Sequence, residues 1–321
     1  MSGTEAAAQF ASVALIFPGQ GSQYPGMAVD LARDSSRARE ILEHADDVLG
    51  YALSTIMAGD SGEDLHRTVH TQPAVFVHSM ALYEIIRERA PVVPLVAAGH
   101  SLGEISALCA AEVLDFDTAL DIVRVRAKAM DEAQPAGMHG MAAIIGLSAE
   151  HVRDLVNTHR QGEILEAANF NAPDQVVVSG TLGAVRRVCE AAGKERRTKT
   201  VMLPVSSAFH TVLMEPAALP LRDRLAQASF GPARFPVVAN VNAQVYPAAA
   251  EEVRRLLIDQ IVRPVLWEDC VAKMRAIGAD CFLEIGPGKV LSGLLRRIDR
   301  SLTCKSVSDL EGVRSLQRGT T

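Results

Sequence analysis

VVPLVAAGHSLGEISALCAAE, residues 92–112, reads as a strand, a tight turn and a helix in immediate succession. Val92–Ala98 is an apolar run of strand length, broken at Gly99, and a helical pattern follows from about Glu104 to Glu112. Between them lies G-x-S-x-G, written here Gly99-His100-Ser101-Leu102-Gly103. Its glycines allow a sharp, strained turn that lifts the Ser101 hydroxyl clear at the carboxyl edge of a sheet. A helix N-terminus at the serine favours negative charge developing there. A turn that merely contains a serine is the plainer reading of five residues. The flanking strand and helix are the context that the nucleophile motif demands, and they favour the chemical reading.

The same alternation extends outward. Ser12–Phe17 reads as a buried strand running into the glycine-rich turn PGQGSQYPGM, and Phe116, Leu120, Val123, Ala127 and Met130 fall at helical spacing within a helix from about Asp117 to Ala133. Strands alternating with helices imply a parallel sheet covered by helices. After Pro135 the pattern changes. Strand Met141–Leu147, helix Ser148–His159, strands Ile164–Asn169 and Gln175–Ser179, helix Leu182–Ala192 and strand Thr200–Val205 give the order βαββαβ. Residues 137–205 are therefore expected to form a small domain inserted into an α/β body made of 1–136 and 206–321. The body resumes with strand Phe235–Val241, a helix near Glu251–Ile261 and strand Cys281–Ile285 before GPGK.

Composition narrows the function. A net charge of −6 in 321 residues lacks the basic footprint of a nucleic-acid-binding protein. Five scattered cysteines without a C-x-x-C pair suggest neither a disulfide framework nor a zinc site, and point to a reducing cytoplasm. Met1 to Phe10 lacks a basic n-region, and the apolar run that follows is too short for a signal core. No apolar stretch approaches the roughly 20 residues of a membrane helix. Gly19-x-Gly21 fails to complete G-x-G-x-x-G at Tyr24, and GPGKVL has no Ser or Thr after Lys289, so no nucleotide cofactor is expected and no metal either.

A serine nucleophile needs a base, and nine histidines compete. His66 and His70, four apart, suggest a solvated helix face. His100 is expected to pack beneath the turn. His210 stands out by position, where the chain leaves the small domain and re-enters the body. On the helix over 117–133, Arg126 aligns with Ala119, Ile122, Ala129 and Ala133, an apolar stripe on which a guanidinium needs a partner or must snorkel to the surface. Arg186, Arg187, Lys194, Arg196, Arg197 and Lys199 form a basic cluster on an acidic chain. Cations also gather at helix C-termini without any partner.

FPGQGSQ (17–23), GHSLGE (99–104), VRAK (125–128), GMAAIIGL (140–147), NFNAPDQVVVSG (169–180), SAFH (207–210), DQIVRPVLW (259–267) and EIGPGKVLSGL (284–294) together span nearly the whole chain. In this order they resemble the malonyl-CoA:acyl-carrier-protein transacylase family, which includes the acyltransferase domains of polyketide synthases. The resemblance implies an α/β-hydrolase-like body carrying a ferredoxin-like small domain. It implies Ser101 as nucleophile, His210 as general base oriented by a backbone carbonyl near Gln260, and the amides of Gln20 and Leu102 as oxyanion donors. Arg126 becomes the clamp for the malonyl carboxylate, and Phe209 crowds the space of an α-methyl group, although Ser207 departs from the HAFH of malonyl-type domains. The basic cluster then becomes a docking patch for an acidic carrier protein.

The activity implied is malonyl transfer from malonyl-CoA to the phosphopantetheine thiol of an acyl carrier protein, through a serine-bound acyl group, by a cytoplasmic monomer needing no cofactor or membrane. Two alternatives share the sequence features: a serine thioesterase or editing hydrolase, and a non-catalytic scaffold that binds carrier protein. Fatty-acid and polyketide pathways are both open.

Overall fold

The computed structural model describes residues 12–318 apart from Pro91 and Ser206; Met1 to Phe10, the segment that lacks a basic n-region, lies outside them. The strands are β1 (Val13–Phe17), β2 (Pro94–Gly99), β3 (His139–Ile145), β4 (Leu165–Ala172), β5 (Gln175–Thr181), β6 (Lys199–Met202), β7 (Val237–Val238), β8 (Cys281–Ile285) and β9 (Thr303–Val307). The helices used below are α1 (Thr68–Arg89), α2 (Gly103–Ala110), α3 (Phe116–Glu132), α4 (Ala149–His159), α5 (Leu182–Ala192), α6 (Ala250–Val262), α7 (Trp267–Ile277) and α8 (Val290–Ile298).

Alternation along short apolar strands produces a sheet covered on both sides. Strands β7-β2-β1-β8-β9 pair in that order, all in parallel. Val13, Leu15 and Phe17 enter one core, whereas Ala14 and Ile16 enter another with Trp267, Val271 and Met274 of α7. A strand buried on both faces must be apolar throughout, which is why β1 reads VALIF without a polar residue. Helix α1 is buried along most of its length, its polar Thr71, Gln72, His78 and Ser79 included, and its apolar residues pack in the first core.

The second sheet is antiparallel, ordered β4-β5-β3-β6, with its own core against α4 and α5. It is tied to the body where Phe170 N–H donates to Val265 O and Val265 N–H to Ala168 O, each at 2.9 Å. The expected strand Phe235–Val241 shrinks to the two residues of β7. Pro236 has no N–H to offer, and the chain turns back at Asn240, where Ala239 N–H bonds Gln244 O. Of the two histidines expected on a solvated helix face, His66 is exposed but precedes α1 and meets Gln23, whereas His70 lies half-buried in the first turn of α1 and meets Asp64 O.

Open parallel sheets place their sites beyond the carboxyl ends of the strands. Here the ends of β1 and β2 are pressed together at Gly103, where an added Cβ would lie 2.0 Å from Phe17 O. Gly103→Ala must therefore push β1 and the turn apart, and should destabilise the fold by about 2 kcal/mol or more. Urea unfolding checks this; an unchanged midpoint contradicts the close-packing account.

Candidate active site

Ser101 follows β2 with φ +52°, a strained value for a residue with a side chain. The strain is held by Asn240, beyond β7. Its Oδ1 accepts from Ser101 N–H at 2.8 Å, and its Nδ2 donates to Gly99 O at 2.8 Å. The Ser101 Oγ is thereby presented to His210 Nε2, 2.8 Å away.

His210, also at positive φ (60°), is nearly fully buried. Its Nδ1 meets the backbone carbonyl of Gln260 at 2.7 Å. A carbonyl can only accept, so Nδ1 carries the proton and Nε2 turns its lone pair to the serine hydroxyl. Gln260 can lend this carbonyl because it lies in the last turn of α6, where carbonyls have no intrahelical partner. Arg263 before Pro264 is extended, which ends the helix there. The negative end of the helix dipole therefore points at His210, where a serine–histidine–aspartate triad puts an acid. Burial, and next the charge of Arg126, hold the imidazole down at about 3, against the bond to Gln260.

Arg126 does not snorkel. It is 2% exposed, with Nη1 donating to Gln72 Oε1 at 2.6 Å and Nη2 donating to Ser101 Oγ at 2.9 Å and Gln260 Oε1 at 2.8 Å. Burial lowers it to about 10, while Glu104 pulls the other way, so it remains a cation at neutral pH. A buried guanidinium without a directly paired carboxylate suits a site awaiting an anion.

Gly19 lies so close to the turn that a Cβ would sit 2.4 Å from His100 O. Gln20 and Leu102, on either side of this approach, line one cavity of about 280 Å³, whose wall also includes Ser101, Arg126, Phe209, His210 and Leu291. Among the described residues neither amide donates to a protein acceptor. The cavity is near the lower end of the range for small-molecule sites. A larger cavity of about 590 Å³, lined by Arg37, His44, Tyr83 and Phe116, contains none of these groups.

The structure thus brings Ser101, His210, Gln260, Gln20, Leu102, Arg126 and Phe209 together. His100 does not pack beneath the turn; it stands half-buried in the cavity wall with Nε2 2.8 Å from Asn171 Oδ1 of β4. The basic cluster lies apart, around the end of α5 and on edge strand β6. Arg186, Lys194, Arg196, Arg197 and Lys199 are exposed, but Arg187 is half-buried and pairs with Glu163 at 2.5 Å, so it is already committed. Glu104, Gln72, Asn240 and Tyr246 were not foreseen. Only Glu104 carried a signal, as the one charge in an otherwise apolar α2. Among the described residues no cluster of His, Cys, Asp or Glu could hold a metal, and no helix is long and apolar enough to cross a membrane.

Residues 14–321 match the family described as acyl transferase domain. The chain is 39% identical over 302 residues to the malonyl CoA-acyl carrier protein transacylase of Bacillus subtilis, covering 94% of this chain and 95% of that one. With the Escherichia coli K12 protein of the same name it shares 40% over 299 residues, 92% of this chain and 96% of the other. Among solved structures, a malonyl-transacylase in complex with its type II polyketide synthase acyl-carrier protein superimposes with a TM-score of 0.92 at 38% identity, over 96% and 100% of the two chains. The transacylase of Clostridium perfringens gives 0.91 at 32%, over 96% and 97%.

The depressed His210 predicts a neutral imidazole throughout the usual histidine range, because lowering the folded-state value keeps the ring unprotonated to more acid pH. Nitrogen-15 shifts of the free protein should show no His210 titration between pH 8 and pH 5. A transition near 6.5 contradicts the electrostatic account.

Proposed function

Because the chain belongs to the acyl transferase family, and within it to the malonyl-CoA:acyl-carrier-protein transacylases, we propose that it moves a malonyl group from coenzyme A to a carrier-protein thiol through Ser101. The observation that carries the proposal is the buried Arg126 donating to the Oγ of a serine whose other neighbour is a neutral histidine. A generic esterase has no use for a cation there, whereas an acyl group ending in a carboxylate does.

In the first half-reaction Ser101 Oγ attacks the thioester carbonyl while His210 Nε2 takes its proton. Charge on the tetrahedral oxygen is met by the Gln20 and Leu102 amides. The C–S bond then breaks, and His210 returns the proton to the departing coenzyme A sulfur. In the second half-reaction His210 takes the proton of the carrier thiol as the sulfur attacks the malonyl-serine ester, and gives it back to Ser101 as the C–O bond breaks. The malonyl carboxylate also offsets the Arg126 charge that disfavours imidazolium, so substrate binding makes His210 a better base. No metal or cofactor takes part in these steps.

The finer parts of the reading follow from it. The body and the antiparallel unit are taken as hydrolase-like (1–136 and 206–321) and ferredoxin-like (137–205); the sheet order β4-β5-β3-β6 with α4 and α5 supports the second. Phe209, in the cavity wall, narrows the space beside the α-carbon, which a methyl group would need. Arg196, Arg197 and their exposed neighbours steer an acidic carrier protein. The relatives above are transacylases by name, and a hydrolase has no comparable support.

Two kinetic measurements test this. Arg126→Ala should lower kcat/KM for malonyl-CoA by about 10²-fold or more, the scale of removing one partner of a buried charged contact, and should lower that for acetyl-CoA less; equal losses contradict the clamp. Arg196→Glu with Arg197→Glu should raise KM for the carrier protein several-fold and leave that for malonyl-CoA near the unaltered value. An unchanged carrier KM removes the docking patch.

A further inference from the structure

Beneath the serine lies a buried carboxylate for which the transfer cycle has no role. Glu104, in the first turn of α2, is fully buried. One of its oxygens, Oε1, accepts from the Tyr246 hydroxyl and from Asn240 N–H at 3.3 Å; the other, Oε2, accepts from Gln260 Nε2 at 2.6 Å. The same Gln260 nitrogen donates to Ser101 O at 2.7 Å, and its Oε1 accepts from Arg126 Nη2 at 2.8 Å. A line of contacts therefore runs from Glu104 through one carboxamide to the guanidinium at the serine.

We propose that Glu104 is a positioning residue for acyl-group selection: its carboxylate fixes the Gln260 carboxamide with Nε2 inward and Oε1 toward Arg126, which keeps the guanidinium aligned for an acyl carboxylate. The inference rests on the reading of Arg126 as the clamp.

The argument is one of donors and acceptors. Both protons of Gln260 Nε2 are claimed by groups that accept, Ser101 O and the Glu104 carboxylate, so only Oε1 is left to face Arg126. Turning the amide over would set oxygen against two acceptors and nitrogen against a guanidinium. An ionised carboxylate suits this place because it accepts on both of its sides at once. An amide at position 104 must put a donor on one side. It then opposes either Gln260 Nε2 or Asn240 N–H, both of which can only donate, whereas the Tyr246 hydroxyl can turn to accept. In both arrangements the negative charge that balances Arg126 is lost. Burial draws Glu104 up to about 7, and its bonds to Tyr246, Gln260 and Asn240 and the Arg126 charge keep it from rising further, so the carboxylate form is fully present only above neutrality.

Glu104 also touches Asn240, which braces the serine turn. A purely structural role would therefore reach the nucleophile and slow every acyl donor alike, whereas a positioning role reaches the clamp and acts on donors with a carboxylate. The ratio of kcat/KM for malonyl-CoA to that for acetyl-CoA separates the two, and it does not depend on the fraction of protein that is folded. In Glu104→Gln this ratio should fall about 10-fold or more, the scale of a lost charge-assisted hydrogen bond. In Glu104→Asp, which keeps the charge, it should fall less. An unchanged ratio in Glu104→Gln, or equal losses for both donors, overturns the proposal. A wild-type protein with no preference for malonyl-CoA would instead overturn the clamp itself, whatever the Glu104 variants do.

Discussion

One glutamine at the end of a helix holds the site together. The backbone carbonyl of Gln260 orients His210, and its side chain binds Ser101 O, Arg126 and Glu104. That carbonyl is free only because α6 stops two residues later, before Arg263 and Pro264. Helix termination, usually a matter of local stability, here decides where the His210 imidazole points. It also explains how a serine–histidine pair can work without an aspartate: the helix terminus supplies an acceptor and a partial negative charge that never needs protonating.

Around this point the protein accepts several unfavourable features together. Ser101 and His210 both adopt positive φ, and Arg126 and Glu104 are both removed from water. Each alone would weaken the fold. They persist because the surroundings fix them, through Asn240 braced on both sides of the turn and through apolar packing on both faces of the sheet. In the proposed cycle these costs have a common use. The strained serine is presented, the histidine is kept neutral, and the cation waits for a carboxylate.

Much of this could be read from the sequence, for identifiable reasons. Strand, turn and helix around Ser101 were legible because a buried parallel strand is uniformly apolar and the turn requires glycines at fixed places. The order of elements from 139 to 202 was legible because each is short, periodic and bounded by turn residues. Arg126 could be singled out because it breaks an apolar stripe, but only the structure excludes a snorkelling side chain. Asn240 and Tyr246 could not be found, since each acts across more than 100 residues of chain and neither interrupts a local pattern. The over-long strand at 235–241 failed for a local reason, a proline at 236 and a reversal at Asn240. The place of His100 is not legible from its adjacency to Ser101, because its partner, Asn171, comes from the second sheet.

The central claim, a serine that carries an acyl group selected by its carboxylate, is tested most directly by intact mass after brief mixing with malonyl-CoA and no carrier protein. The account predicts that the protein gains one malonyl group, that Ser101→Ala gains none, and that addition of carrier protein returns the enzyme to its original mass as the carrier gains the group. An adduct that persists in Ser101→Ala, or that acetyl-CoA forms more readily than malonyl-CoA, would contradict it.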